Sequence, residues 1–181
     1  MRVSLSGSPG QGDRRGRSCQ LASGSQDGPA ELAAGRIDWM PSDDDLRVLL
    51  PIVSERLPTL GAIGDLVGFL WVRELEVDPA TLVPKRWDPA TTSEALVAAR
   101  EVIADTGAVA FEADELEPPL RALAEARGWK AGDLFMAIRV AVTGRTATPP
   151  LFDTLVALGR ERTLERVARA VAVLEEGSVP R

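Results

Sequence analysis

Arg139, Arg145, Thr148 and Pro149 fall in one short stretch, Gly132 to Arg162, which reads GDLFMAIRVAVTGRTATPPLFDTLVALGRER. The spacing predicts an amphipathic helix that carries Arg139 and stops at Thr143-Gly144. A short loop, Arg145-Thr146-Ala147, follows. Thr148 has the oxygen an N-cap needs, and Pro149 suits a first helical position, where its missing N–H costs nothing. A second helix, started by Thr148-Pro149, is then expected to run to Gly159. Exposed N–H groups at a helix start, with guanidinium groups beside them, suit the binding of anions and the edges of bases.

Other chemistry is poorly provided for. The chain has no histidine and one cysteine, so a Ser–His–Asp or Cys–His site and an internal disulfide are both excluded within it. Cys19 lies among Ser, Gly and Arg without an evident partner. No metal-ligand spacing, Walker-type loop or dinucleotide fingerprint occurs. No catalytic residue, metal or cofactor is therefore expected here. There is no apolar run long enough to span a membrane and no secretory h-region. A cytoplasmic protein without a membrane partner is the expectation.

The net charge of −6 runs against nucleic-acid binding. Its distribution matters more than its sum. From Arg139 to Arg169 there are six arginines and three acids, a local excess of +3. Every cation in that span is arginine, the side chain suited to forked contacts with phosphates and bases. Arg162, Arg166 and Arg169 share a helical stripe. That stripe is read either as a phosphate-binding face or as a solvated face paired with Glu161 and Glu165.

The elements that position these residues are helical. Hydrophobic residues make up 45% of the chain, enough to bury a core, and Ala, Leu, Val, Glu and Arg favour helix over sheet. Residues 1–35 are rich in Ser, Gly, Gln, Arg and Asp without a hydrophobic period, and are expected to be a disordered leader. Ser42 and the acids Asp43, Asp44 and Asp45 read as a helix start. Leu46, Leu49, Leu50, Val53 and Leu57 follow it, with Pro51 as a kink. A second apolar helix covers about Leu60 to Val72. Thr91 and Glu94 have capping-box spacing for a third, ending near Gly107. Pro118-Pro119 suggests a helix starting at Glu117 and closing at Gly128. The final helix spans about Arg160 to Glu175. Short helices with brief loops give an all-α, two-part bundle. The expected division is a first helical subdomain at 36–110, a second at 111–177 and a loose tail at 178–181. Trp71 and Trp87 are assigned to core packing rather than to stacking on bases.

Arg56 sits in the last turn of the first helix, before Pro58-Thr59-Leu60. Taken alone, it either satisfies C-terminal carbonyls or contacts a ligand.

The pattern Leu134-Phe135, Ile138-Arg139, Ala141, Thr143-Gly144, Thr148-Pro149, Leu151-Phe152 and Leu158-Gly159-Arg160-Glu161-Arg162 closely resembles the C-terminal anticodon-binding region of bacterial glutamyl-tRNA synthetases, which are class I enzymes. The resemblance covers about Trp39 to Glu176 and is strongest from Gly132. It implies an anticodon-binding cage whose partner is the anticodon loop of glutamate tRNA, not DNA. It also implies RNA contacts at Arg56, Arg139, Thr148, Pro149 and Leu151, with Arg145, Arg162 and Arg166 added from the charge pattern. Arg56 matches the family's Arg-x-x-Thr-Leu turn and by resemblance favours glutamate tRNA over glutamine tRNA. Met136 replaces a glutamine common in the family. ATP and Mg²⁺ belong to the parent glutamate–tRNA ligase. Nothing here resembles its HIGH-type or KMSKS-type segments, so this chain alone is expected to bind tRNA without catalysis. A separate catalytic chain is one way the activity would be completed. The competing classes are a helical protein-interaction module and a degenerate fragment without function.

Overall fold

The computed structural model describes residues 67–106 and 111–177. Arg56, the expected helices before residue 67, the leader and the tail lie outside them. The described residues contain helices and no strand. A 3-10 turn, Gly68–Trp71, leads into α1 (Pro79–Leu82) and α2 (Pro89–Thr106). There follow α3 (Ala113–Ala126), α4 (Ala131–Thr143), α5 (Leu151–Leu158) and α6 (Arg160–Gly177).

The longest packing seam joins α2 to α6, and α3 and α4 close over α2. The expected division near residue 111 falls beside the undescribed 107–110. Helices on both sides of it share one core, which includes Leu96 and Ile103 of α2, Leu116 and Leu120 of α3, Ile138 of α4 and Val167 of α6. Phe69, Leu70 and Trp71 add the 3-10 turn to the same core. Trp87 packs on Trp129 with ring centroids 5.6 Å apart. Both Trp71 and Trp87 therefore serve packing, as expected.

Helix ends agree with the sequence more closely than helix starts do. After α3, the Trp129 N–H donates to Ala124 O (2.8 Å) and the Gly128 N–H to Glu125 O (3.0 Å). Gly128 has φ +67°. This is a Schellman closure, in which glycine takes the left-handed position at no steric cost. Three starts differ from expectation. α2 begins at Pro89, ahead of the Thr91–Glu94 box, because the Asp88 carboxylate accepts the Thr91 N–H at 2.7 Å. Glu94 instead pairs with Arg127 of α3. α3 begins at Ala113, with Pro118 and Pro119 inside it. Those prolines cannot donate to the carbonyls of Asp114 and Glu115. Both residues are exposed, so water can satisfy those carbonyls, while Leu116 in the same turn is fully buried. Tertiary burial thus holds a first turn that local signals disfavour. The third difference lies at the candidate site.

Candidate nucleic-acid interface

The end of α4, the bend after it and the start of α5 form the centre of the site. Gly144 closes α4 with φ +68°, and its N–H donates to Val140 O at 2.8 Å. A Cβ at Gly144 would stand 3.1 Å from Glu76 O and 3.5 Å from the Leu75 side chain. Conformation and crowding therefore both select glycine here. The Thr143 hydroxyl donates to Arg139 O at 2.7 Å and accepts the Arg145 N–H at 3.2 Å. One side chain thus ties together the backbones that carry the two arginines. Arg139 is half-buried, whereas Arg145, Thr146 and Ala147 are exposed.

The expected Thr148 cap is not what starts α5. The helix begins at Leu151, Pro150 occupies the N-cap position, and no side chain caps it. The cause is the Pro149-Pro150 pair. A residue before proline is pushed out of the helical region, so Pro149 cannot be the first helical residue. Pro150 supplies the first carbonyl, which accepts the Thr154 N–H at 3.0 Å. The Thr148 hydroxyl donates to Pro149 O at 3.0 Å. Thr148, Pro149 and Leu151 are all buried, with Leu151 only 4% exposed. These three shape the bend from beneath. Its outward groups are Arg145, Thr146, Ala147 and Pro150.

The arginine stripe of α6 divides by depth. Arg166 is 5% exposed, and its guanidinium donates to Val142 O (2.7 Å), Phe69 O (2.9 Å) and Val72 O (2.6 Å). It closes the last turn of α4 and the end of the 3-10 turn together, where carbonyls have no helical partner. Burial, then the nearby Arg162 charge, lowers the Arg166 guanidinium to about 10. The phosphate contact expected of Arg166 therefore competes with a structural clamp, in which Nη1 and Nη2 already donate to three backbone carbonyls. Its place was legible in principle. Thr163, Arg166, Val167 and Ala170 form an i, i+3, i+4, i+7 inward stripe, and all four are buried. Arg162 remains exposed, with Nη1 3.3 Å from Leu70 O. Arg169 pairs with Glu165 at 3.5 Å. Arg73, Arg162, Arg166 and Arg169, with Glu165 and Val72, line a cleft of about 230 Å³.

The anticodon binding domain family matches residues 30–171. The chain belongs to that family. A glutamate–tRNA ligase of Roseiflexus castenholzii is 46% identical over 149 residues, which are 81% of this chain and 29% of the ligase. The glutamate–tRNA ligase of Roseiflexus sp. strain RS-1 is 48% identical over 149 residues, with the same coverage of 81% and 29%. The chain thus spans about 29% of the length of these curated relatives. A crystal structure of a glutamate tRNA ligase from Elizabethkingia meningosepticum shares the fold, with a TM-score of 0.64 and 24% identity over 86% of this chain and 30% of that one.

In this anticodon binding domain, the described residues hold no cluster of three or more His, Cys, Asp or Glu side chains placed to bind a metal ion. Among them, no helix is long and apolar enough to cross a membrane.

Proposed function

We propose that the chain binds the anticodon loop of glutamate tRNA, with Arg139 and Arg145 as its base-reading and backbone-holding side chains. One observation carries this reading. The αL turn at Gly144 and the Thr143 hydroxyl bring the two arginine positions to one bend. Sequence-specific RNA readers typically engage unstacked loop bases in this way, with forked donors and apolar surfaces. Thr148, Pro149 and Leu151 fix the shape of the bend. Arg162 contributes a phosphate contact beside it. Arg166 positions both by holding the end of α4. Arg56 as discriminator between glutamate and glutamine tRNA rests on the Arg-x-x-Thr-Leu resemblance.

Attachment of glutamate to tRNA with ATP and Mg²⁺ is assigned to whole ligases of this kind, with RNA binding as this chain's part in it. The reading places the protein in the cytoplasm, where translation occurs, either with or without a separate catalytic chain.

The test is direct binding of the purified chain to glutamate tRNA, to its isolated anticodon stem-loop and to an unrelated tRNA. Preferential binding of the first two, weakening steeply with salt, is the expected result. Equal affinity for all three would remove the anticodon from the reading. No affinity for any would leave a helical interaction module.

A further inference from the structure

Most cations of this domain are already engaged. Arg121 pairs with Glu117, Arg127 with Glu94 and Arg169 with Glu165. Arg160 donates to Ala104 O and Arg166 to three carbonyls. Lys85, Arg86 and Lys130 differ. All three are exposed, and among the described residues none of their side chains makes an ion pair or hydrogen bond. They come from two places far apart in sequence, the connector after α1 and the residue before α4. The fold nevertheless gathers them on the walls of one groove of about 740 Å³. That volume lies within the range of about 300–1,000 Å³ usual for ligand sites.

The groove also has an apolar surface. Pro84 and Met136 line it, and Met136 is 37% exposed, one of two large hydrophobic side chains so exposed among the described residues. Methionine is polarizable and adaptable, and it contacts aromatic rings favourably. Asp133 is the only acid in the lining. Thr146 lines the groove too, so the groove is continuous with the bend that carries Arg145. Three unspent cations around an apolar strip match single-stranded nucleic acid, in which phosphates alternate with flat, apolar base faces.

We propose that this groove is a second RNA-binding track, taking the loop nucleotides adjacent to those read at the Arg139–Arg145 bend. Their phosphates lie on Lys85, Arg86 and Lys130, and one unstacked base lies against Met136. The inference rests on the RNA-binding reading above and extends it by residues with no assigned role. It also accounts for three solvated cations held together with a single acid, Asp133, in the same lining.

The experiment uses the full chain and the anticodon stem-loop of glutamate tRNA in a salt titration. The triple variant Lys85→Ala/Arg86→Ala/Lys130→Ala is compared with wild type. Each single-strand phosphate contact contributes about 0.7 to the slope of log K against log salt, so three should lower it by about 2. Each single variant should lower it by about 0.7, which keeps the test available should the triple variant fold poorly. Met136→Glu places a second acid in the groove and should weaken binding about tenfold. Tight binding by wild type with unchanged slopes in the variants refutes the groove and leaves the bend intact. No RNA binding by wild type refutes both readings. Displacement of the stem-loop by an equimolar acidic peptide would assign the groove to a protein partner and overturn the proposal.

Discussion

Arg166 Nη1 donates to the Val142 carbonyl at 2.7 Å, joining α6 to the last turn of α4 just before Gly144. The same guanidinium holds Phe69 O and Val72 O. Removing it strands three carbonyls in a buried place. Each unsatisfied group costs about 1–3 kcal/mol. Arg166→Ala should therefore lose about 3 kcal/mol or more in urea unfolding. Arg166→Lys should recover only part, because one ammonium cannot reproduce the fork. A loss below about 1 kcal/mol would show that the clamp is not a major support of the fold.

Gly144 tests the bend itself. An alanine there meets a left-handed φ of +68° and a carbonyl 3.1 Å away. The conformational term alone is about 1–2 kcal/mol, and the Glu76 backbone cannot move aside as a flexible side chain would. Gly132 is the control, since a Cβ there meets nothing within 4 Å. Gly132→Ala lies in the first turn of α4 and should stabilise by up to about 1 kcal/mol through helix propensity. Thermal unfolding of the two variants should move in opposite directions. Equal shifts would contradict the crowding argument.

These glycines also show which features the sequence made legible. Gly128, Gly144 and Gly159 all have positive φ, and all three ends were expected from glycine alone. Starts were harder to read, because they depend on competition. Asp88 displaced Thr91 as cap, Pro150 excluded Pro149 from the helix, and burial of Leu116 extended α3 ahead of two prolines. At the site, Arg139 and Arg145 were legible because a local helix end brings them together. Lys85, Arg86 and Lys130 were not, since only tertiary packing places the connector beside the start of α4.

Acid should loosen the two helix starts that aspartates hold. Hydrogen bonds from the Thr81 side chain and the Ala80 N–H keep the Asp78 carboxyl below 3.8, and the Thr91 N–H does so for Asp88. Both folded values are depressed. The stabilisation is thus complete above 3.8 and lost as pH falls through the lower folded values. Asp78→Asn/Asp88→Asn keeps an acceptor oxygen but cannot titrate. Its unfolding midpoint should fall less steeply than that of wild type as the pH drops below 3.8. Superimposable acid limbs would remove these caps from the pH dependence.

Arg162 and Arg166 lie one turn apart on α6 but should affect different measurements. Arg162 is exposed and its contact with Leu70 O is long, at 3.3 Å, so Arg162→Ala should cost less than about 1 kcal/mol of stability. If it touches phosphate, the salt slope of binding should fall by about 0.7–0.9, with all tRNAs weakened alike. An unchanged slope would return Arg162 to the solvated face of α6.

Specificity should separate from affinity at Arg139 and Arg56. Base contacts through a guanidinium fork discriminate by roughly 1–3 kcal/mol in the analogous case of DNA. Arg139 is half-buried on α4, with its carbonyl held by Thr143, so its side chain starts from a fixed base. Arg139→Ala should weaken binding of the anticodon stem-loop by about that amount, while Arg139→Lys keeps the charge and loses the fork. If the lysine variant binds as wild type does, Arg139 acts as a charge rather than as a reader. Arg56→Gln should leave overall affinity closer to wild type and reduce the preference for glutamate over glutamine tRNA. The two losses should add within about 0.5 kcal/mol if the arginines contact different bases. Competition between the two tRNAs at one salt concentration, for wild type, both single variants and the double, measures all of this. Unaltered preference in Arg56→Gln would remove Arg56 from the discrimination. A double-variant loss far smaller than the sum would mean that both arginines serve one contact, placing them on a single nucleotide.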